Sequence, residues 1–452
     1  MDFRLFFAIL LAKLTKLILK IFGRKGSSLP GKLALMLYPE ILTVLSRDVE
    51  TVVVSATNGK TTTVNILKHI LNENGKTAFA NSLGSNMEQG IVSDFILNAD
   101  VFGKPEKHFA VIECDEAALK YVTPKLKPKI IAILNVFRDQ LDRFSELSMT
   151  LNDLREGLRG SKESEYLINA DCSLVSSIVE EGGDQARYFG FNKAAEQGSG
   201  VSDAVYCIKC GNRYDYAYKV FAHFGDFSCT NCGYKRQKPE YAITNFESDF
   251  LGSRFTIERE GTEYEAELKI AGLHNIYNAL AAVSAANMLG VSMGDAVKSL
   301  KTAEGGSGRG ESFLINKKEV SMMLIKNPSG ADRAFSLIEK KIEPFKLLIA
   351  LNTKIADGKD ISWIWDADFE KLIRNKHIVE YVLSGERALE LALRLKYAGA
   401  PEEMLRIIEE QEELLEFIKE EECDIYMLPS YTVMFDLRDK LKSLDENKEA
   451  EE

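Results

Sequence analysis

The chain has 452 residues, more than one hydrophobic core usually organises, and this length indicates about two to four domains. Hydrophobic residues at 45% and charged residues at 28% are typical of a globular protein. The net charge of -11 argues against nucleic-acid binding, because no basic excess is available to displace counterions from a phosphate backbone. Seven cysteines, four of them in two close pairs, favour a metal site in a reducing compartment, so we expect a cytoplasmic protein.

The first 22 residues are apolar with regularly spaced lysines. On a helix, Lys13, Lys16 and Lys20 share one face. Another face is apolar and comprises Leu10, Leu14, Leu17, Ile18 and Ile21. The charges argue against a transmembrane helix, and the lack of a small-residue cleavage site argues against a signal peptide. We predict a helical segment at 1–49 and favour a first helix that packs its apolar face on the next domain. The alternative is peripheral attachment of this helix to the inner face of the plasma membrane.

Residues 52–71 join a β-branched strand to a helix through a polar turn with the sequence Gly-Lys-Thr. Gly59 lets the backbone approach an anion, Lys60 supplies positive charge, and the Thr61 hydroxyl can ligate Mg²⁺. Val54 replaces the first glycine of the strict P-loop pattern, and the alternative is a glycine turn with an exposed lysine. The flanking strand and helix favour ATP binding. We assign it to Thr57, Asn58, Gly59, Lys60, Thr61 and Thr62.

Short apolar strands alternate with helical stretches from residue 50 to about 200, and again from 312. This alternation predicts an α/β fold with mostly parallel sheets, in which ligands bind beyond the carboxyl ends of the strands. The first predicted strands are 51–55, 109–113, 130–135, 166–169 and 187–191. We predict three further regions: a central ATP-binding domain at 50–303, a smaller carboxy-terminal α/β domain at 304–438, and a disordered tail at 439–452. An acidic helix is predicted at 402–422.

Polar side chains follow two of these strands. Glu113 ends the strand that precedes an acidic turn, and such a carboxylate can hold Mg²⁺ against nucleotide phosphates; a solvated acidic turn is the alternative. Asn135 ends the next strand, and Asp139 and Asp142 follow at helical spacing. A helix cap with surface charges explains the second group equally well.

Two Cys-x₂-Cys pairs occur between residues 201 and 240. The first pair is Cys207 and Cys210, and the second is Cys229 and Cys232. Their spacing is that of a zinc ribbon, and four thiolates would saturate Zn²⁺ in a structural site. Two disulfides or a nucleic-acid-binding ribbon are the alternatives, which the acidic composition and the cysteine pattern disfavour. The α/β pattern resumes afterwards, so we interpret the ribbon as an insertion in the central domain.

Two polar segments further along the chain are candidates for nucleotide contacts. Asn275 and Asn278 open an alanine-rich helix, where an amide could read the edge of a base; helix capping by Asn275 is the alternative. Arg309 lies in the glycine-rich segment 304–311, where it could clamp a phosphate or remain solvated.

The motifs occur in the order found in the Mur ligase superfamily. The turn at 56–63 resembles its ATP loop, with Ala56 in place of the usual first glycine, and Glu113 lies at the position of its magnesium-binding glutamate. The segment 135–142 resembles a further box of the superfamily, with Gln140 in place of histidine. The resemblance implies adenine contacts by Asn275 and Asn278 and a phosphate contact by Arg309. The carbamoylated lysine of many Mur ligases has no identified counterpart here.

The ribbon, Gln140 and the segment 356–366 narrow the resemblance to the MurT family, the synthetase subunits of lipid II isoglutaminyl synthases. This resemblance implies ATP-dependent amidation of the D-glutamate α-carboxylate of lipid II through an acyl phosphate. Ammonia would come from a GatD-type class I glutaminase partner, and an aspartate of the last domain would complete the partner's triad. Asp357 is the first candidate for that residue and Asp360 the second.

Two other functions fit parts of the sequence. A Mur ligase without a partner would add an amino acid in place of ammonia. A nucleotide-gated scaffold would use the ribbon for protein docking and would show no hydrolysis of ATP in response to lipid II and ammonia.

Overall fold

The structure is a computed structural model. It describes residues 2–21, 28–81, 84–137, 144–179, 185–194, 204–248, 252–303, 309–354, 357–358 and 360–446.

Three helices precede the first strand: α1 (Phe3–Ile21), α2 (Leu29–Leu37) and α3 (Ile41–Leu45). Helix α1 packs against α2, and its buried residues are Ala8, Ile9 and Ala12. The favoured prediction for this helix was therefore wrong about the packing face. The larger apolar side chains predicted to pack are instead exposed, namely Leu14, Leu17, Ile18 and Ile21. Small side chains let the two helix backbones approach closely, which explains the choice of face. Among the described helices, none has both the length and the apolar content needed to cross a bilayer.

The central sheet has nine strands in the order β11-β10-β9-β6-β5-β4-β1-β3-β2. Its strands are β1 (Glu50–Ser55), β2 (Ala78–Ala80), β3 (Phe109–Glu113), β4 (Ile130–Ile133), β5 (Glu165–Asn169), β6 (Ala186–Phe191), β9 (Tyr241–Ser248), β10 (Ser253–Arg259) and β11 (Thr262–Leu268). From β2 to β9 neighbouring strands are parallel, and β10 and β11 complete the sheet as an antiparallel hairpin. The five predicted strands are confirmed. Apolar runs of this kind are typical of parallel strands that are covered on both faces.

Helices cover this sheet and carry several of the predicted site residues. They are α4 (Lys60–Glu73), α5 (Glu88–Leu97), α6 (Leu119–Leu126), α7 (Phe144–Arg159), α8 (Ser173–Ser176), α9 (Leu273–Met288) and α10 (Met293–Ser299), the last followed by a 3₁₀ turn (Leu300–Thr302). Helix α9 is buried along nearly its whole length and packs on α4. Its alanines permit this close packing, so the start of α9 lies beside the start of α4.

The cysteine-containing insertion forms an antiparallel pair between β6 and β9, consisting of β7 (Asp215–Phe221) and β8 (Phe224–Ser228). A small core of Cys207, Tyr214, Phe227, Cys229 and Tyr234 holds its outer end together. At its base, Val220 and Phe224 belong to the main core of the central sheet. The insertion is therefore anchored at one end and dependent on a small core at the other.

The second sheet has six strands in the order β12-β13-β17-β14-β15-β16. The strands are β12 (Arg309–Ile315), β13 (Lys318–Met323), β14 (Phe345–Ala350), β15 (Ile378–Ser384), β16 (Leu405–Ile408) and β17 (Ile425–Pro429). Its helices are α11 (Pro328–Ile338), α12 (Glu370–Arg374), α13 (Ala388–Ala398), α14 (Gln411–Glu420) and α15 (Tyr431–Lys442), with 3₁₀ turns at Ser362–Trp365 and Glu402–Met404. All pairs except β12–β13 are parallel. Hydrophobic clusters on both faces make this a second α/β unit.

Two predictions for this unit were wrong. The acidic segment 402–422 is not one helix, because Leu405–Ile408 pairs with β15 as an edge strand and the helix spans only Gln411–Glu420. The disordered tail was predicted to begin at 439, yet α15 continues to Lys442 with Leu441 fully buried. Asp445 accepts a hydrogen bond from the backbone N–H of Leu314. Burial of an isolated leucine near the end of a polar segment therefore extends the folded unit.

Candidate functional site

The turn between β1 and α4 brings the predicted phosphate-binding residues to the carboxyl edge of the central sheet. Gly59 caps α4 with a left-handed backbone (φ 89°), a conformation that glycine adopts without steric cost. Thr62 is buried, while Gly59, Lys60 and Thr61 are partly exposed. The N–H groups at the start of α4 and the positive end of the helix dipole suit an anion at this position.

Lys60 forms an ion pair with Glu116, with 3.1 Å between Nζ and Oε2, and its Nζ also donates to the Ala56 carbonyl. The two side chains are only 12% and 14% exposed. Burial lowers the pKa of Lys60, but the negative charges of Glu116 and Glu113 outweigh it and hold the pKa above its usual value. Lys60 is therefore a permanent cation whose position depends on Glu116. An acidic turn was predicted at Glu113, but nothing in the sequence identified Glu116 as the partner of Lys60.

The Thr61 hydroxyl donates to Glu113, with 2.7 Å between Oγ1 and Oε2. Asn81 holds the backbone of Glu113 by accepting from its N–H and donating to its carbonyl, each at 2.8 Å. Hydroxyl and carboxylate oxygens in this arrangement form a donor set suited to Mg²⁺. The structure thus brings together Thr61 and Glu113, the two residues proposed from sequence as magnesium ligands. Asn81, which supports Glu113, was not predicted from sequence.

Asn135 fixes the phosphate-binding turn from the neighbouring strand. Its side chain accepts from the Asn58 N–H (2.9 Å) and donates to the Asn58 carbonyl (2.7 Å). Thr57 donates its N–H to the Asn135 carbonyl, and its hydroxyl donates to Glu116. Asn135, which was predicted to end the strand 130–135, is therefore part of the site. Asp139 and Asp142, together with Gln140, lie outside the described residues.

The first turn of α9 lies against Gly59. Asn275 donates to the Ala271 carbonyl (2.7 Å), and Asn278 donates to the side-chain oxygen of Asn275 (3.1 Å). The N-cap position of α9 is Gly272, so the alternative in which Asn275 caps the helix is wrong. Asn278 and Gly59 line one cavity of about 70 Å³.

Residues of the second α/β unit complete that cavity. Lys326 and Asn327, which precede α11, line it opposite the residues of the central unit. The Asn327 side chain caps α11 by accepting from the Gly330 N–H (2.8 Å), and its buried Nδ2 has no hydrogen-bond partner in the described structure. The cavity is therefore a cleft between the two units, and one of its lining residues carries a buried donor without a partner. Arg309 begins β12, but its side chain lies outside what the structure describes.

Asp357 and Asp360 belong to the loop after β14, at the carboxyl edge of the second sheet. Asp357 accepts two hydrogen bonds from Thr432, from the N–H at 2.8 Å and from the hydroxyl at 2.5 Å. Asp360 is exposed and accepts from the Ser362 N–H. Hydrogen bonds from Ser362 lower the pKa of Asp360, so it is ionised at neutral pH. None of the described contacts joins either aspartate to Lys60 or Glu113.

A larger cavity of about 350 Å³ opens at the same edge of the second sheet. Asn352 and Glu386 line it, and Glu386 accepts hydrogen bonds from the N–H and hydroxyl of Thr353. Those two hydrogen bonds lower the pKa of Glu386. Asn352 also donates to the Thr432 hydroxyl, at 3.0 Å. The loop that carries Asp357 is therefore tied through Thr432 to the wall of this cavity.

The four cysteines predicted to bind zinc converge. Their sulfur atoms all lie within 4.8 Å of one another; Cys207 and Cys232 are 3.6 Å apart, and Cys210 and Cys229 are 3.5 Å apart. Zn–S bonds of about 2.3 Å in a tetrahedron require sulfur separations of about 3.8 Å, so the cluster could bind zinc. Gly211 and Gly233, each with φ 75°, follow the second cysteine of each pair as expected for tight turns.

A buried charge network joins the insertion to α9. Asp171, which is fully buried, pairs with Arg236 at 2.7 Å and accepts from the Tyr277 hydroxyl at 2.6 Å. Arg236 lies four residues after the last cysteine of the cluster, and Tyr277 lies between the two asparagines of α9. Arg236 also donates to the Phe191 carbonyl at the end of β6. The insertion therefore has a hydrogen-bonded path to the residues that flank Gly59.

Comparison with known families gives two matches that together cover most of the chain. The Mur ligase middle domain model matches residues 54–207, and the MurT ligase C-terminal model matches residues 324–434. The first match contains Gly59, Lys60 and Glu113. The second contains Asp357 and Asp360.

Curated relatives align over nearly the full length. The MurT subunit of a lipid II isoglutaminyl synthase (glutamine-hydrolyzing) from Streptococcus pneumoniae is 37% identical over 424 residues, covering 93% of each chain. The corresponding subunit from Staphylococcus aureus is 36% identical over 395 residues, covering 86% of this chain and 87% of the relative.

Solved structures with a similar fold have lower sequence identity. MurF from Acinetobacter baumannii has a TM-score of 0.67 at 18% identity, with 91% of this chain and 79% of that chain covered. A pseudomurein peptide ligase type C from Methanothermus fervidus has a TM-score of 0.65 at 20% identity, covering 88% and 79%. MurF from Thermotoga maritima in complex with ADP has a TM-score of 0.61 at 12% identity, covering 92% and 84%. These likenesses show the fold.

Proposed function

The chain belongs to the MurT family of Mur ligase-like enzymes, and from that premise we propose that it amidates the D-glutamate α-carboxylate in the lipid II stem peptide. ATP activates the carboxylate, ammonia is the nucleophile, and D-isoglutamine is the product. The observation that carries the proposal is the arrangement of Lys60, Thr61, Glu113 and Glu116 around the start of α4. It supplies the charges that phosphoryl transfer to a carboxylate requires.

The reaction has two steps. A carboxylate oxygen attacks the terminal phosphorus of ATP, the bond to the bridging oxygen breaks, and ADP leaves. Ammonia then attacks the acyl carbon, the carbon–oxygen bond to phosphate breaks, and one proton is released as the amide forms. Lys60 would balance charge on the transferred phosphoryl group, and its ion pair with Glu116 supports this role by fixing the position of the ammonium.

The cleft beside Gly59 is our proposed site for the nucleotide. Asn275 and Asn278 are proposed to contact adenine, and Lys326 lies across the cleft on the second unit. Thr61 and Glu113 would hold Mg²⁺, which neutralises phosphate charge when bound. Arg309, whose backbone begins β12, remains a proposed phosphate contact on the basis of the family resemblance.

We further propose that ammonia comes from a GatD-type class I glutaminase subunit. In the part of the chain that the structure describes, Cys172 and His223 form a cysteine–histidine pair that resembles a glutaminase nucleophile, with 3.5 Å between Sγ and Nε2. Burial raises the pKa of Cys172 to about 11 and lowers that of His223 to about 3, and both side chains are inaccessible. Neither a thiolate nor an exposed base is available there, which supports an external source of ammonia.

Either Asp357 or Asp360 is proposed to complete the partner's catalytic triad. The structural contacts favour Asp360, because it is exposed, ionised and bound only to its own turn. Asp357 uses both carboxylate oxygens to hold Thr432. Glutamine hydrolysis by the complex should therefore be measured for Asp360→Asn and Asp357→Asn. Loss of glutamine-dependent activity with ammonium-dependent activity retained identifies the triad residue; loss of both indicates a structural role.

The reaction is tested by mass spectrometry of lipid II after incubation with ATP, Mg²⁺ and isotopically labelled ammonium. The proposal predicts one labelled nitrogen per product, and a parallel reaction with ordinary ammonium should give the mass decrease that accompanies replacement of hydroxyl by an amino group. Incorporation of a free amino acid would instead support the Mur ligase that acts without a partner. No ATP turnover with lipid II and either ammonium or a free amino acid would refute both ligase functions.

A further inference from the structure

Helix α1 presents a continuous apolar face to solvent. Its exposed large side chains recur every three or four residues along the whole helix, from Phe3 (70% exposed) to Ile21 (73% exposed). We define this α1 face as Phe3, Phe7, Leu11, Leu14, Leu17, Ile18 and Ile21. Single exposed apolar residues are common, but a face of this length marks an interaction surface.

The α1 face is not a packing surface of the described fold. The residues that pack, Ala8, Ile9 and Ala12, lie on the opposite side of the helix. The exposed Phe102 lies beside Phe6, with ring centroids 6.1 Å apart, and extends the apolar surface onto the loop after α5. This loop is itself attached to the helix, because Lys13 donates to the Ala99 carbonyl. The surface is therefore supported by folded structure.

The charges around the α1 face indicate what covers it. Helix α1 contains Arg4, Lys13, Lys16 and Lys20 and no acidic residue, in a chain whose net charge is -11. The three lysines border one side of the apolar face, as helical spacing requires. An apolar face bordered by cations matches the boundary between the acyl chains and the anionic headgroups of a bilayer.

A second exposed apolar stripe in the described structure has a different charge pattern. It lies on α13 and consists of Leu389, Leu393 and Tyr397. The two basic residues of this helix, Arg394 and Lys396, pair with Glu370 and Glu402. Glu390 pairs with Arg387 at the start of the helix. Apolarity alone therefore does not distinguish α1 from α13, whereas the uniform positive charge does.

We propose that α1 lies in the interface of an anionic lipid bilayer, with the α1 face inserted among the acyl chains and Lys16 and Lys20 at the headgroups. The helix lies parallel to the surface and holds the remainder of the protein against the membrane. This inference rests on α1 alone and is independent of the proposed reaction.

Co-sedimentation of the full chain with vesicles, without nucleotide or substrate, tests the proposal. The chain should pellet with phosphatidylglycerol-containing vesicles and bind pure phosphatidylcholine at least about tenfold more weakly. Leu14→Glu with Ile18→Glu should weaken binding to anionic vesicles at least about tenfold, because two apolar side chains lose their buried position. Lys16→Gln with Lys20→Gln should weaken binding to anionic vesicles and leave the weak binding to neutral vesicles unchanged.

Leu389→Glu with Leu393→Glu is the matched control, since it makes the same change at the same spacing on an exposed helix. It should retain binding within about twofold. Equal losses for the α1 and α13 variants would refute the proposal, as would a lack of binding by the unaltered chain. If light scattering shows a dimer that the α1 variant alone dissociates, and vesicles are not bound, a second copy of the chain covers the face and the bilayer proposal fails.

Discussion

The side-chain amide of Asn278 occupies the space that a side chain on residue 59 would need. A Cβ atom added to Gly59 would lie 2.2 Å from the Asn278 Oδ1 and 2.9 Å from its Cγ. Gly59 also has a φ of 89°. The phosphate-binding turn and helix α9, which are more than two hundred residues apart in sequence, are thus in direct contact. A larger side chain at residue 59 would therefore displace α9.

Gly59→Ala should reduce ATP-dependent amidation by about a hundredfold, because the added methyl group forces the phosphate-binding turn and α9 apart. The matched control is Gly75→Ala. Gly75 has a similar φ of 73°, but an added Cβ there meets nothing within 4 Å. The control should lose about 1 kcal/mol of stability and retain activity. Steady-state kinetics with ammonium as nitrogen donor provide the measurement, and equal activity in the two variants would exclude a role for the contact with Asn278.

Lys60→Ala should lower kcat for amidation by at least about a hundredfold, since the cation paired with Glu116 is lost from the phosphoryl-transfer site. Lys68→Ala, on the same helix α4, is the control and should keep normal turnover. Both variants should be compared under saturating ATP. Normal amidation by the Lys60 variant would show that this lysine has no part in the chemistry.

Removal of zinc should unfold the outer part of the insertion before the rest of the chain. The small core of Tyr214, Phe227 and Tyr234 is insufficient by itself to hold this part together. Metal analysis should find one zinc ion per chain, and Cys207→Ser with Cys232→Ser should abolish it. Cys423→Ser, which alters a cysteine remote from the cluster, should leave the zinc content unchanged.

Hydrogen exchange measures the structural effect of removing zinc from the insertion. A chelator should accelerate exchange in β7 and β8, while the parallel strands of the central sheet keep their protection. Unchanged exchange in a zinc-free protein would show that the four cysteines are not a structural metal site.

Arg236→Met should destabilise the chain by about 3–5 kcal/mol, because it leaves the buried Asp171 carboxylate without its cationic partner. Asp171→Asn combined with Arg236→Met should recover part of this loss, and the double-mutant cycle measures the coupling. Since Asp171 also holds Tyr277 on α9, the single variant should raise the KM for ATP more than it lowers kcat. Additive stability effects would contradict an interaction between the two side chains.

Acid should destabilise the protein through His223. Burial lowers the pKa of His223 from 6.5 to about 3, so the folded chain keeps this imidazole neutral where the unfolded chain binds a proton. Stability from this residue is fully present above pH 6.5 and is lost as the pH falls towards 3. The loss amounts to about 1.4 kcal/mol one pH unit below the unfolded pKa.

Denaturant unfolding at neutral and mildly acidic pH measures this effect. His223→Phe retains an aromatic ring beside Phe137 and Phe224 but cannot be protonated, so its stability should fall less on acidification. Equal slopes for the variant and the unaltered chain would assign the acid sensitivity to other groups.

The sequence allowed the parallel strands, the cysteine cluster and the pair Thr61–Glu113 to be predicted, because each depends on a local pattern or on residues at adjacent strand ends. The partner of Lys60 was not predictable in the same way. Glu116 lies in a run of acidic residues whose members are equivalent until the turn is folded. The bonds between Asn58 and Asn135 join residues 77 positions apart, and sequence spacing carries no information about such a contact.

Helix α1 shows a different reason for failure. Its periodicity correctly identified an apolar face, but two faces of the helix can pack, and the smaller residues Ala8 and Ala12 were buried in place of the larger ones. The edge strand Leu405–Ile408 was missed because four residues within an acidic stretch give little signal. Tertiary packing decided both cases.

The cysteine-containing insertion connects two strands that are parallel neighbours, since Phe189 of β6 pairs with Tyr241 of β9. Parallel neighbours need a crossover of a dozen or more residues, because the chain must return from one edge of the sheet to the other. The insertion therefore forms the crossover connection that a helix forms in an ordinary βαβ unit. It is not an appendage that can be trimmed to a tight turn: excising it without a substitute crossover would separate the edge hairpin from the rest of the sheet.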